Sequence, residues 1–162
     1  KRLAAAMAAS RSIGGDCMLW LSVLESLRDH LRAAKIADDV ILGGYNPRNV
    51  RPNPKGKGLI YLMRDCERPA SEDLVQDTSV QISLDTWVQS DDKNLTVGYE
   101  ALARLENAVM DALRRYEETV TWIADGVQLL QMRITETAGD GDSVRPLVGS
   151  RCAIEVIVYE EK

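Results

Sequence analysis

The residue types that most often carry catalysis are thinly spread in this chain. His30 is its one histidine. A general base needs an oriented acidic partner, and the nearest acid in sequence, Asp29, points to another side of a helix. His30 is therefore expected to be a surface or half-buried structural residue. Cys17, Cys66 and Cys152 stand far apart and form no CxxC or Cys/His pair. Neither a zinc site nor a redox pair fits that spacing, and three free thiols in a reducing compartment are expected. Glu117-Glu118 and Asp91-Asp92 are paired carboxylates in sequence only, because adjacent residues do not converge on one point. Asp140 and Asp142 hint at a calcium loop, yet the twelfth position of such a loop is Arg151 rather than Glu. Gly56-Lys57-Gly58 lacks the spacing and the Ser/Thr of a phosphate-binding loop. These residues assign no catalytic, metal or cofactor-binding role and predict a protein that is not an enzyme. A cytosolic enzyme of unrecognised chemistry is the rival reading.

Two other features could support binding. Residues 43–58, GGYNPRNVRPNPKGKG, hold three of the five prolines, four of the 11 glycines, four basic residues and no acid. Pro and Gly at this density cannot sustain a helix or a central strand, so a protruding loop or arm is expected. Arg48, Arg51, Lys55 and Lys57 give it +4, which leaves −9 on the other 146 residues of a chain whose net charge is −5. A positive arm on a negative body can stay solvated, contact phosphate or nucleic acid, or bind an acidic surface of another copy. Tyr45 is its lone aromatic, which weakens a base-stacking role. The second feature is Trp87, on a strand where it shares a face with Ser83, Asp85 and Gln89. A large aromatic on a polar face is either covered by a helix or loop or forms part of an interface.

The elements that must position these residues follow from periodicity. An Ala-rich segment occupies 1–15, and a single α/β domain is expected over 16–162. Asp16 is a candidate N-cap. Behind it Leu19, Val23, Leu24, Leu27 and Leu31 recur at helical spacing, to about Ala34. Val40-Ile41-Leu42 and Leu59-Ile60-Tyr61-Leu62 read as short strands around the basic loop, and the polar residues 64–77 as a second loop. Val80, Ile82, Leu84, Thr86 and Val88 alternate with polar residues, the mark of a strand with one buried face. After a turn over 89–94 comes a second long helix, with Tyr99, Leu102, Leu105, Val109, Ala112, Leu113 and Tyr116 on one stripe. Residues 119–123 are ambiguous between helix end and strand, and 127–134 and 152–158 predict a closing hairpin. The economical packing is α+β, a mainly antiparallel mixed sheet with the two helices on one face.

Composition bounds the rest. At 162 residues the chain can bury a core without a metal or disulfide staple. It has 0 Phe, so that core must be aliphatic. No apolar run approaches the ~18–20 residues that span a bilayer. The net charge of −5 argues against a generally basic nucleic-acid coat.

The order of segments resembles a known family. LESLRDHLRAAKI precedes the short strand DDVILGG; the strand VQISLDTWVQSDD leads into the helix YEALARLENAVMDALRR; the chain closes on CAIEVIVYEEK. This pattern, with Asp85-Thr86-Trp87-Val88 before an acidic turn and a helix opening near Tyr99-Glu100, resembles the tail terminator (tail completion) proteins of long-tailed bacteriophages and related minor tail proteins. The resemblance implies a small α/β domain in a hexameric ring that caps the tail tube, stops its polymerisation and docks to the head connector. It implies no catalytic residues or cofactors. The expected location is the tail or neck of the virion, assembled in the host cytoplasm. The expected partners are a second copy, the tail tube protein and head–tail connector proteins, with transient DNA contact. A head-completion protein and a nucleic-acid-binding adaptor acting through 43–58 are the alternatives. Among the residues, Arg48, Arg51, Lys55, Lys57 and Trp87 are the candidates for a protein interface.

Overall fold

The computed structural model describes residues 18–44, 51–71, 77–139 and 144–161. The elements run α1 (Leu19–Ala33), β1 (Asp39–Leu42), β2 (Leu59–Pro69), β3 (Asp77–Gln89), α2 (Leu95–Thr119), β4 (Trp122–Ala124), β5 (Val127–Gly139) and β6 (Leu147–Glu160). Over the described residues the fold is α+β, with two helices and one curled six-stranded mixed sheet in the order β1-β2-β3-β6-β5-β4. β1 and β2 are parallel and every other pair is antiparallel. β5 and β6 pair antiparallel as predicted for the last two strands. No helix among the described residues is long and apolar enough to cross a membrane.

Alternation along β3 organises the core. Val80, Ile82, Leu84 and Val88 join the apolar stripes of the helices: Val23, Leu24, Leu27 and Leu31 from α1, and Leu102, Leu105, Val109, Leu113 and Tyr116 from α2. This cluster is aliphatic apart from Tyr116 and the sulfur-bearing Met132 and Cys152, but the expectation of a wholly aliphatic core fails, since Trp87 and Tyr116 are the largest fully buried side chains. The helices are also tied to each other. His30 Nε2 donates to the Ala112 carbonyl at 2.8 Å, its ring meets Tyr116 edge-on at 5.1 Å, and the Tyr116 hydroxyl bonds Ser26 Oγ at 2.9 Å. His30 is a half-buried strut between helices, as its isolation in sequence predicted.

Several expectations need correction. The polar stretch over 64–77 is strand at both ends rather than loop throughout: β2 continues to Pro69 and β3 starts at Asp77, while residues 72–76 lie outside the described residues. Pairing with β3 holds Arg64 to Pro69 extended whatever their polarity, a bulge between Arg64 and Cys66 absorbs a register shift, and Pro69 is tolerated because it ends the strand. α2 opens at Leu95, not near Tyr99, because the Asn94 side chain accepts from the Thr96 N–H at 3.1 Å and caps it there. Tyr99 consequently lies outside, and Gly98 takes the buried position, its missing Cβ allowing Ser90 and Val148 to approach. α1 has Met18 at its N-cap with no side-chain cap. Asp16, Cys17, Tyr45, Asp140, Asp142 and the segment 1–15 lie outside the described residues. The ambiguous 119–123 resolves into the end of α2 followed by the start of β4.

The other alternation of β3 buries as well. Trp87 is fully buried with Tyr61, in a second cluster supported by Ile41, Leu59 and Leu147. Its cross-strand neighbour on β6 is Gly149, where an added Cβ would lie 2.6 Å from the indole. Gly149→Ala should therefore destabilise the protein by about 1–3 kcal/mol through overpacking. Gly139→Ala, with nothing within 4 Å of the added carbon, should shift stability by less than about 0.5 kcal/mol. Urea unfolding of both variants checks the contrast.

Candidate functional site

Among the candidates in the basic loop, Arg48 lies outside the described residues; Arg51, Lys55 and Lys57 are exposed. The C-terminal half of the loop is built on a carboxylate that the sequence reading overlooked. Asn53 and Gly56 close a turn at 2.9 Å, and the Asn53 side chain accepts from the Lys55 N–H at 3.0 Å. The Asp38 carboxylate then accepts from the Lys57 N–H at 3.1 and 3.2 Å and from the Gly58 N–H at 3.3 Å, while the Asp38 N–H donates to the Gly58 carbonyl at 2.8 Å. Lys57 Nζ donates to the Lys35 carbonyl at 2.8 Å, just past α1. Residues 51–58 are thus laid on the α1–β1 corner. Gly58 has φ +102°, and a Cβ there would meet the Trp87 carbonyl at 2.6 Å, so glycine is required at the point where the loop enters β2.

This anchoring gathers cations from three elements. Lys35, Lys57 and Arg104 border one shallow depression of about 350 Å³, floored by Ile36, Leu105 and Ala108. Spacing along the chain could not show this, since Arg104 is carried in by α2.

The face of the sheet that bears Trp87 holds two buried carboxylates, Asp85 and Glu155, each paired with arginine. Asp85 has no exposed surface and takes a bidentate bond from Arg151, Nε to Oδ1 at 2.7 Å and Nη2 to Oδ2 at 2.9 Å. They sit directly opposite each other on β3 and β6. Further along β6 on the same face, Glu155 accepts from Gln81 at 2.7 Å and from Arg133 at 2.8 Å, with Arg68 3.7 Å away. Burial by itself would raise the Glu155 carboxyl. The hydrogen bonds from Gln81 and Ser79, together with the charge and hydrogen bond of Arg133, outweigh it and hold the group below its ordinary value. The face expected to be merely polar is therefore an ordered series of Trp packing and paired charges. Trp87 is buried on this face among Tyr61, Ile41, Leu59 and Leu147, within the subunit itself.

On the core side, Thr86 and Ser150 bond through their hydroxyls at 2.6 Å beside a cavity of about 170 Å³ that Glu106, Asn107, Thr137 and Cys152 help to line. Burial and the Glu106 carboxylate push the Cys152 thiol up to about 11. At neutral pH it is protonated and a poor nucleophile. Among the described residues no three His, Cys, Asp or Glu side chains gather to hold a metal ion.

Two outcomes test the face. Arg151→Met leaves the Asp85 carboxylate buried without its partner and should cost about 3 kcal/mol in urea unfolding. Glu155 has a depressed folded value, so its contribution is present above 4.5 and is lost as pH falls through the folded value. Glu155→Gln should lower stability by about 1–3 kcal/mol at pH 7, and the gap to the parent should narrow on acidification below pH 4.5.

Compared with known proteins, the chain matches no protein-family model and no curated protein.

Proposed function

We propose that this protein is a non-enzymatic virion assembly protein of the tail-terminator type. It joins copies of itself head to tail in a ring, hexameric in this reading, which caps the tail tube, halts its growth and offers a docking face to the head connector. The observation that carries the reading is the state of the sheet edges. β1 covers β2 only at Leu59–Leu62, and β4 reaches β5 only at Val127 and Gln128. Among the described residues, Met63–Pro69 on one side and Leu130–Gly139 on the other have a strand neighbour on one flank alone. Free edges invite pairing with another chain, and two unlike edges on opposite sides of one sheet suit a heterologous contact that closes by rotation. The order of elements that carries the family resemblance supports the same reading. In it the helices pack together on one face of the ring subunit, the exposed cations of the basic loop face a partner, and no cofactor is needed.

A second reading, polyanion contact through residues 43–58, is favoured by the cations Lys35, Lys57 and Arg104 around one depression. Native mass spectrometry separates the two. The first predicts a closed oligomer of uniform size, and addition of that oligomer to growing tail tubes should fix their length. A strict monomer at high concentration, with and without tube protein, overturns it. The second predicts DNA binding that weakens steeply with salt and falls at least about tenfold when Lys35, Lys57 and Arg104 become Ala.

A further inference from the structure

We infer that the subunit contact is a strand-to-strand joint in which the free stretch of β2 pairs antiparallel with the free stretch of β5 from a second copy, locked by an ion pair between Arg68 and Glu136 of the neighbouring subunit. The inference rests on the ring reading and specifies its interface.

Direction comes first. β2 and β5 lie on either side of β3 and β6, and the three antiparallel pairings between them make β2 antiparallel to β5. A rotation that carries the sheet on past its own edge therefore brings β5 of one copy antiparallel to β2 of the next, the better-bonded arrangement.

Register follows from what is already occupied. β1 fills the outer flank of β2 at Leu59–Leu62, and the Gly43 N–H takes the Leu62 carbonyl beyond it. An incoming strand can begin only past Leu62. Side chains on directly opposed residues must share a face, and the ladder tells which do. Cys66 lies level with Gln81 and Glu155, and Arg68 with Ser79 and Ile157, on the Trp87 face. Ala138 lies level with Arg151 and Glu136 with Ala153, on that same face. Setting the last described residue of β5, Gly139, against Arg64 keeps clear of β1 and preserves the faces. With Asp65 left as the bulged residue, as it is against β3, this brings Ala138 opposite Cys66, Thr137 opposite Glu67 and Glu136 opposite Arg68.

Charge supports this register. Glu136 is exposed and in none of the ion pairs among the described residues, and Arg68 is two-thirds exposed, reaching toward Glu155 at 3.7 Å. Bringing Glu136 to Arg68 sets unlike charges opposite each other and extends the Arg133–Glu155–Arg68 series across the joint. The slide that sets Arg68 against Arg133 instead places like charges face to face, which is destabilising.

Charge exchange and cross-linking test this. Arg68→Glu or Glu136→Arg alone should shift the oligomer midpoint at least about tenfold toward monomer, and the double exchange should restore it. In Ala138→Cys, mild oxidation should link Cys66 to the introduced thiol of a neighbouring subunit, and adding Cys66→Ser should abolish the ladder of cross-linked species. An oligomer that survives both single exchanges and gives no cross-link overturns this joint and leaves the ring reading standing. A wild-type chain that is monomeric throughout, with circular dichroism showing it folded, overturns both.

Discussion

The pairing of β3 with β6 runs over thirteen consecutive residues of β3, and side chains on both of its faces are buried along much of that length. A strand in that position has no solvent side to absorb misfit. Each residue of β3 therefore demands something specific from its opposite on β6. Trp87 demands Gly149, because the indole occupies the space a side chain would need. Asp85 demands Arg151, because a carboxylate without exposed surface must be compensated where it lies. Thr86 finds Ser150 on the core side. A slip of one residue would exchange the faces and break all three matches together.

The remaining features are arranged around this double-sided strand. The helices cover its aliphatic positions, with the His30–Ala112 and Ser26–Tyr116 bonds fixing their approach. The basic loop is held by Asp38 where its Gly58 end passes close to Trp87, so loop and strand constrain each other. The sheet is built outward from its centre, and the edges are where its own strands run short. β1 has four residues and β4 three, against eleven and thirteen in the strands they flank. Among the described residues, that imbalance leaves Met63–Pro69 and Leu130–Gly139 with a strand neighbour on one flank alone.

Much of this was legible in the residues. The helical spacing of Leu19 to Leu31 and the alternation of Val80 to Val88 are direct consequences of period, and both elements stand where those patterns lie. Polar composition misled where tertiary pairing overrode it. Residues 64–69 are mostly exposed at a sheet edge, so few of their side chains are apolar, and their extended shape comes from β3. The turn-forming Asn94 marks the start of α2 better than the apolar stripe does, since a side-chain oxygen that takes an N–H decides where the first helical turn begins. Trp87 stood out by type, but its surroundings depend on a glycine sixty-two residues later.

By itself the sequence determined the two long helices and the alternating strand β3, the largely aliphatic character of the main core, the isolation of His30 and the separation of a positive loop from a negative body. These are local properties, set by side-chain chemistry and by the periods of helix and strand. The tertiary structure alone decided that Asp85 meets Arg151, that Asp38 anchors the loop, that Lys35, Lys57 and Arg104 share one depression, and that, among the described residues, two unlike strand edges have a neighbour on one flank alone. Each joins residues at least nineteen positions apart in the chain, or depends on where a pairing stops. Such matches are fixed by sheet order and register, which emerge only when all the strands are assembled.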